Sequence, residues 1–272
     1  MSYDEPHGSE LDPHIRAFYR QALLALHDAQ VPFVVGGAYA FAFYTGITRH
    51  TKDLDIFIQP HECERTLEVL KATGYHTELT FPHWLGKAFY GQECIDVIFS
   101  SGNGIATVDE SWFTHAMAGE VLGIPVQLSP PEEMLWSKGY IMERERYDGA
   151  DVLHLLRACS AQVDWQRLLA RFGRHWRVLL SHLTLFGFVY PAEQSRIPIW
   201  VMHELLQRLQ HELHTAPTTG RLCQGTLLSR AQYWTDITYG GYQDARLLPP
   251  GTMTAEDIAH WTAAIAQEEG AT

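Results

Sequence analysis

Two aspartates two residues apart, Asp53 and Asp55, stand in the segment KDLDIFIQ (52–59), where Asp53, Asp55 and Phe57 alternate with Leu54, Ile56 and Ile58. A period of two is that of a strand, so both carboxylates project from one face. Side by side near an apolar core they repel one another unless a cation neutralises them. Hard oxygen ligands of this kind suit Mg²⁺ or Mn²⁺. A second alternating stretch, ECIDVIFS (93–100), carries Asp96 among apolar residues. Three carboxylates can hold two metal ions around an in-line phosphoryl or nucleotidyl displacement. Upstream, Gly36-Gly37 separates the apolar run FVV (33–35) from the small and aromatic run AYAFAFYT (38–45). Glycines between a strand and a helix let backbone approach a phosphate, and the helix start offers amides and a positive dipole end. Each feature taken singly also fits a structural corner or a solvated strand face.

These residues need elements to position them. Apolar spacing predicts a helix over 11–30, with Asp12-Pro13 as its start, then a short strand at 33–35 and a helix over 38–45. The aspartate strand spans 52–59, followed by a helix over 62–73 ended by Gly74. Further strands are predicted at 93–100 and 121–128, with a short helix over 110–118 between them. After Ser129-Pro130-Pro131 the character becomes helical, over 132–159, 164–172, 176–190 and 199–214. Residues 215–251, rich in Thr, Gly and Pro, read as loop, and 254–268 as a closing helix with Thr254 as its cap. The expected class is α+β: a small mixed sheet flanked by helices over 1–129, then a mainly helical part with a loop-rich tail over 130–272.

Composition bounds the function. The 272 residues are 46% hydrophobic, enough for a sizeable core, and carry 20 Lys+Arg against 32 Asp+Glu, a formal charge of -12. Such a surface repels extended nucleic acid and favours a small molecule or a protein as second substrate. Cys63, Cys94, Cys159 and Cys223 form no CxxC pair, so neither a zinc knuckle nor a disulfide framework is expected. His203-Glu204 and His211-Glu212 lack a second histidine four residues on, which excludes the zinc-protease pattern. The polar, acidic start, MSYDEPHGSELDPH, is unlike a signal peptide, and no apolar run would span a bilayer; a cytoplasmic protein is expected. Trp165, Trp176, Trp200, Trp234, Phe186, Phe188 and Tyr190 are expected in the core.

The run VVGGAYAFAFYTGITRHTKDLDIFI resembles the signature of the DNA polymerase β-type nucleotidyltransferase superfamily, and the form Arg49, Thr51, Asp53, Leu54, Asp55 is similar to its small bacterial branch of antibiotic-modifying and abortive-infection-type enzymes. The resemblance implies a small mixed nucleotidyltransferase sheet. It makes Asp53, Asp55 and Asp96 the metal-holding catalytic residues and Gly36, Gly37, Arg49 and Thr51 nucleotide-binding, with Mg²⁺ or Mn²⁺ as cofactor and an NTP as substrate. The family's serine after the first glycine is glycine here, which removes one hydroxyl contact to phosphate. Related enzymes also carry a helical lysine ahead of an Arg/Lys-rich turn and an Asp-x-x-Asp; Lys138, then Arg144, Arg146, Asp148 and Asp151, matches that order and makes Lys138 the implied triphosphate contact. The implied reaction moves a nucleoside monophosphate onto a hydroxyl of a small molecule, a protein or an RNA end. A non-catalytic, antitoxin-like binding protein on the same fold is the alternative, to be judged by whether the three carboxylates converge.

Overall fold

The computed structural model describes residues 11–49, 51–215 and 220–269. The chain divides into two compact units, one of residues 1–130 with 253–272 and one of residues 131–252. Among the described residues no helix is long and apolar enough to cross a membrane.

The first unit is built on a seven-stranded mixed sheet. Its members are β1 (Val34–Val35), β2 (Asp53–Phe57), β3 (His76–Phe81), β4 (Leu85–Tyr90), β5 (Glu93–Ile98), β6 (Met117–Val121) and β7 (Ile124–Leu128), in the spatial order β3-β4-β5-β2-β1-β7-β6. β2 runs parallel to β5 and β1 parallel to β7, while the remaining neighbours are antiparallel. Around it lie α1 (Pro13–Asp28), α2 (Gly37–Thr45), α3 (Cys63–Ala72) and the short α4 (Glu110–Thr114). The Asp12 carboxylate accepts the His14 amide at 2.7 Å and starts α1, which buries Phe18, Tyr19, Ala22, Leu23 and Leu26.

Three strands were not expected, β3, β4 and β6, and tight turns explain two of them. β4 and β5 form a hairpin closed by Gly91-Gln92, with Gly91 at φ 63°. β6 and β7 close through Leu122-Gly123, both left-handed at φ 53° and 76°. Two consecutive left-handed residues match the twist of the flanking strands. The stretch 110–118, expected as one helix, therefore ends at Thr114 and re-enters the sheet as β6. That strand shows no apolar alternation because, as an edge strand, it is mostly exposed.

The closing helix α11 (Ala255–Glu269) is grouped with this first unit rather than with the helical one. Thr254 caps it reciprocally: the Asp257 amide donates to Thr254 Oγ1 at 3.1 Å, and the Thr254 amide donates to Asp257 Oδ2 at 2.9 Å. Its Trp261 ring rests where a Gly102 Cβ would stand, 2.4 Å away.

The second unit comprises α5 (Pro131–Gly139), α6 (Gly149–Cys159), α7 (Trp165–Phe172), α8 (Trp176–Val189), α9 (Ile199–Leu213) and α10 (Trp234–Thr238), with a two-stranded β8 (Leu222–Cys223) and β9 (Gln243–Asp244). The single helix expected over 132–159 is two helices, separated by a turn that pairs Met142 with Tyr147. The expected loop 215–251 carries α10 and the small β pair; residues 216–219 lie outside the described residues. Buried Glu132 and Glu133 are held by Arg167, and Glu133 also by Arg171 Nε at 3.0 Å. Trp165, Trp176 and Phe186 are core residues as expected, but Phe188 is 82% exposed and Trp200 45%. Phe188 and Tyr190 instead border a cavity of about 320 Å³ with Leu153 and Leu185.

Burial depresses the pKa of both His175 and His182; the Arg174 charge adds to it at His175, and the hydrogen bond to the Gly139 carbonyl opposes it at His182. Their folded pKa values lie below the unfolded one. This contribution to stability is therefore full above about pH 6.5 and is lost as pH falls below that toward the folded values. Thermal unfolding followed by tryptophan fluorescence is expected to show a lower Tm at pH 5 than at pH 7, and a smaller difference in His182→Gln. Equal pH sensitivity in the variant would remove His182 from the account.

Candidate functional site

The sheet places the predicted carboxylates on one face of two neighbouring strands. β2 alternates half-buried Asp53, Asp55 and Phe57 with fully buried Leu54 and Ile56, so both aspartates leave the same face. Parallel pairing with β5 sets Asp53 beside Cys94 and Asp55 directly beside Asp96. Neighbouring residues in register share a face. Asp53, Asp55, Cys94 and Asp96 thus form one polar patch on the sheet.

The glycine turn abuts that patch. The Gly36 amide donates to the Asp55 carbonyl at 3.0 Å and so continues the β1–β2 ladder. This amide is committed to the sheet, so the donors left without an acceptor are those of the first turn of α2, beginning at Gly37, where a helix has no internal acceptors. Gly37 adopts φ 52°, and a Cβ there would lie 1.6 Å from Asp55 Oδ2. The space that a side chain at Gly37 would take is therefore filled by the Asp55 carboxylate itself. A Cβ on Gly36 would lie 2.2 Å from the Phe57 ring and 3.1 Å from Ser129 Oγ. Phe57 is in turn stacked on buried Trp112, ring centroids 4.9 Å apart, in a cluster with Val34 and Val108. Removing that support with Trp112→Ala is expected to cost about 3–5 kcal/mol of stability in denaturant unfolding; a loss under about 1 kcal/mol would show that the turn does not lean on this stack.

The remaining sequence candidates fall in different places. Thr51 donates its hydroxyl to Asp53 Oδ1, so it fixes a carboxylate. The Arg49 guanidinium lies 4.8 Å over the Phe41 ring of α2. Lys138 belongs to the second unit, where its ammonium donates to Asp148 Oδ2 at 2.8 Å and Asp151 Oδ2 at 3.0 Å. Burial alone would raise the Asp148 carboxyl pKa, but Lys138 and Arg146 outweigh it and hold the group below its ordinary value. Lys138→Met would leave two buried carboxylates without this partner. The expected cost is about 3–5 kcal/mol, read as early unfolding of the helical unit; unchanged stability would instead favour a ligand-facing role.

Sequence reasoning missed two polar groups. Lys87 of β4 stands opposite Asp96, its ammonium 2.7 Å from Asp96 Oδ1. Burial raises the Asp96 carboxyl pKa against the opposing pull of Lys87. Pairing of Tyr90 with Glu93 around a two-residue turn already dictates that 87 faces 96, so recognising the hairpin would have found this pair. Ser129 follows β7, far in sequence from Gly36, and its buried hydroxyl has no hydrogen-bond partner among the described residues. Cys94 is no nucleophile: burial and Asp96 push its thiol up to about 12, so it stays protonated at neutral pH.

Whether a divalent cation fits can be judged from these donors. Asp53 and Asp55 offer paired hard oxygens on one face, braced by Thr51 and by the Gly37 turn. Among the described residues, however, no group of three or more His, Cys, Asp or Glu side chains gathers to hold a metal. The donor set fits a cation at Asp53 and Asp55, with Asp96 engaged by Lys87.

Residues 19–86 match the family model described as aminoglycoside-2''-adenylyltransferase. No curated protein matches the chain by sequence. Among solved structures, the antibiotic-resistance factor ANT(2'')-Ia is 19% identical with a TM-score of 0.43, covering 63% of this chain and 98% of its own. The lincosamide antibiotic adenylyltransferase LnuA is 17% identical with a TM-score of 0.38, covering 52% and 94%. An antigenic nucleotidyltransferase-like protein from Paracoccidioides brasiliensis is 16% identical with a TM-score of 0.36, covering 62% and 93%. The matched segment contains Gly36, Gly37, Arg49, Thr51, Asp53 and Asp55 and stops short of Asp96. Over residues 19–86, which hold both the Gly-Gly turn and the Asp-x-Asp strand, the chain is similar to the aminoglycoside-2''-adenylyltransferase family.

Proposed function

We propose that this chain transfers a nucleoside monophosphate from an NTP to a hydroxyl of a small-molecule acceptor and releases pyrophosphate, acting in the cytoplasm. The observation that carries this reading is the packing of the Asp55 carboxylate against Gly37, in register with Asp96. It joins the turn that would receive phosphate to the carboxylates that would manage its charge. The family model over residues 19–86 supports a small-molecule acceptor, and the formal charge of -12 argues against a long polynucleotide.

Asp53 and Asp55 would hold a Mg²⁺ or Mn²⁺ ion, which supplies charge neutralisation for the nucleotide phosphates. The first-turn amides of α2 cradle those phosphates, and the α2 dipole favours their charge. Asp96 accepts the proton of the acceptor hydroxyl; its raised pKa makes it a stronger base than an exposed carboxylate. The hydroxyl oxygen then bonds to the α-phosphorus as the bond to the pyrophosphate oxygen breaks. Arg49 offsets the charge of the departing pyrophosphate, whereas Lys138 first serves to brace Asp148 and Asp151.

The test is incubation with each α-labelled NTP, Mg²⁺ and a cell extract or a panel of polyhydroxylated antibiotics. Label should move to a small product with wild type and not with Asp53→Ala. Absence of both transfer and metal-dependent NTP binding in wild type would sink the reading.

A further inference from the structure

Lys87 brings a positive charge to Asp96, the carboxylate on which a second metal ion would depend. Three carboxylates, Asp53, Asp55 and Asp96, share one face of adjacent strands, and three carboxylates are what a two-ion site requires, yet among the described residues the three do not gather around a common metal position. The sheet brings a cation of its own to that face. β4 pairs antiparallel with β5 so that Lys87 is the cross-strand partner of Asp96, and the ammonium lies 2.7 Å from Asp96 Oδ1. Both side chains are mostly withdrawn from water, 23% and 14% exposed, so the pair is not a screened surface contact. Cys94, 3.6 Å from the same carboxylate oxygen, adds only a soft sulfur that suits neither Mg²⁺ nor Mn²⁺. A divalent ion at Asp96 would have to lie beside a fixed positive charge and give up a charge-assisted hydrogen bond.

We propose that the Lys87 ammonium takes the place of the second cation at Asp96, so that the site binds one divalent ion, at Asp53 and Asp55. This rests on the nucleotidyltransferase reading above and sharpens it. Lys87 is then a positioning residue. It keeps Asp96 turned to the patch, clear of metal and able to receive a proton, and it contributes to the patch the positive charge that a second ion would have supplied.

Metal stoichiometry tests this without any turnover. The full chain is titrated with Mn²⁺ in the presence of a non-hydrolysable α,β-methylene NTP, and bound ion is counted by electron paramagnetic resonance. Wild type and Lys87→Arg, which keeps the charge, are expected to bind one ion per chain. Lys87→Met, which frees Asp96, is expected to bind two. Two ions in wild type would overturn the substitution by Lys87 and leave nucleotidyl transfer standing. One ion in folded Lys87→Met would overturn it as well, because Lys87 would not be what excludes the second ion. No bound Mn²⁺ in wild type would overturn both this inference and the reading it rests on. Should Lys87→Met fail to fold by circular dichroism, the wild-type and Lys87→Arg counts decide.

Discussion

Gly37→Ala is expected to lower kcat/KM for nucleotidyl transfer by at least about 100-fold in a chain that still folds. Two independent costs meet at this position. The backbone holds φ 52°, a left-handed conformation that costs an L side chain about 1–2 kcal/mol. The added methyl would also lie 1.6 Å from Asp55 Oδ2 and 2.6 Å from its Cγ. The carboxylate is the softer of the two obstacles and must swing away. Displacing a reacting constellation by about 1 Å costs roughly 100-fold. The sheet itself has no reason to come apart, because Leu54 and Ile56 keep their buried places on the opposite face. Steady-state kinetics with circular dichroism on the same sample checks both halves. Near wild-type turnover would show that Asp55 does not work from the position it occupies beside the turn.

The second large effect is at Asp55 itself. Asp55→Asn keeps shape and hydrogen-bonding capacity but removes the charge that faces the nucleotide phosphates. Loss of about 4 kcal/mol of charge stabilisation corresponds to roughly 10³-fold in rate. Stability should not fall with it. Asp55 lies in register with Asp96 and two residues from Asp53, so deleting one of three like charges relieves repulsion. Lost transfer with an unchanged or raised Tm is therefore expected. A parallel loss of activity and Tm would mean that Asp55 is chiefly a structural carboxylate.

Part of this site was legible in the chain and part was not, for reasons of range. Alternation at 52–59, and a looser one at 93–100, places Asp53, Asp55 and Asp96 on strand faces, since side-chain direction in a strand depends on local parity alone. Which face meets which neighbour depends on register between distant strands, and the parallel β2–β5 pairing carries no turn to announce it. Lys87 was hidden for a lesser reason: β4 reads LGKAFY, too small and mixed to show a period, although its hairpin with β5 fixes the pairing. The commitment of the Gly36 amide to Asp55 is likewise a backbone fact that residue types do not reveal. In the helical half, charge order suggests Lys138 as a phosphate contact, but not that its ammonium lies between the carboxylates of Asp148 and Asp151. The break of 132–159 into two helices did have a local signal, Gly139 and the pair Asp148-Gly149 on either side of the short Met142–Tyr147 turn, which the charge-rich run between them masks.

The central claim is that Asp53 and Asp55 at the Gly37 turn serve nucleotidyl transfer, and the position of the label decides it most directly. Wild type is given NTP labelled at the α-phosphate in one reaction and at the γ-phosphate in another, each with Mg²⁺ and acceptor, alongside Asp53→Asn. The account predicts that α-label joins the acceptor, γ-label leaves as pyrophosphate, and neither moves in the variant. Transfer of γ-label to the acceptor, or equal α-transfer by Asp53→Asn, would contradict it.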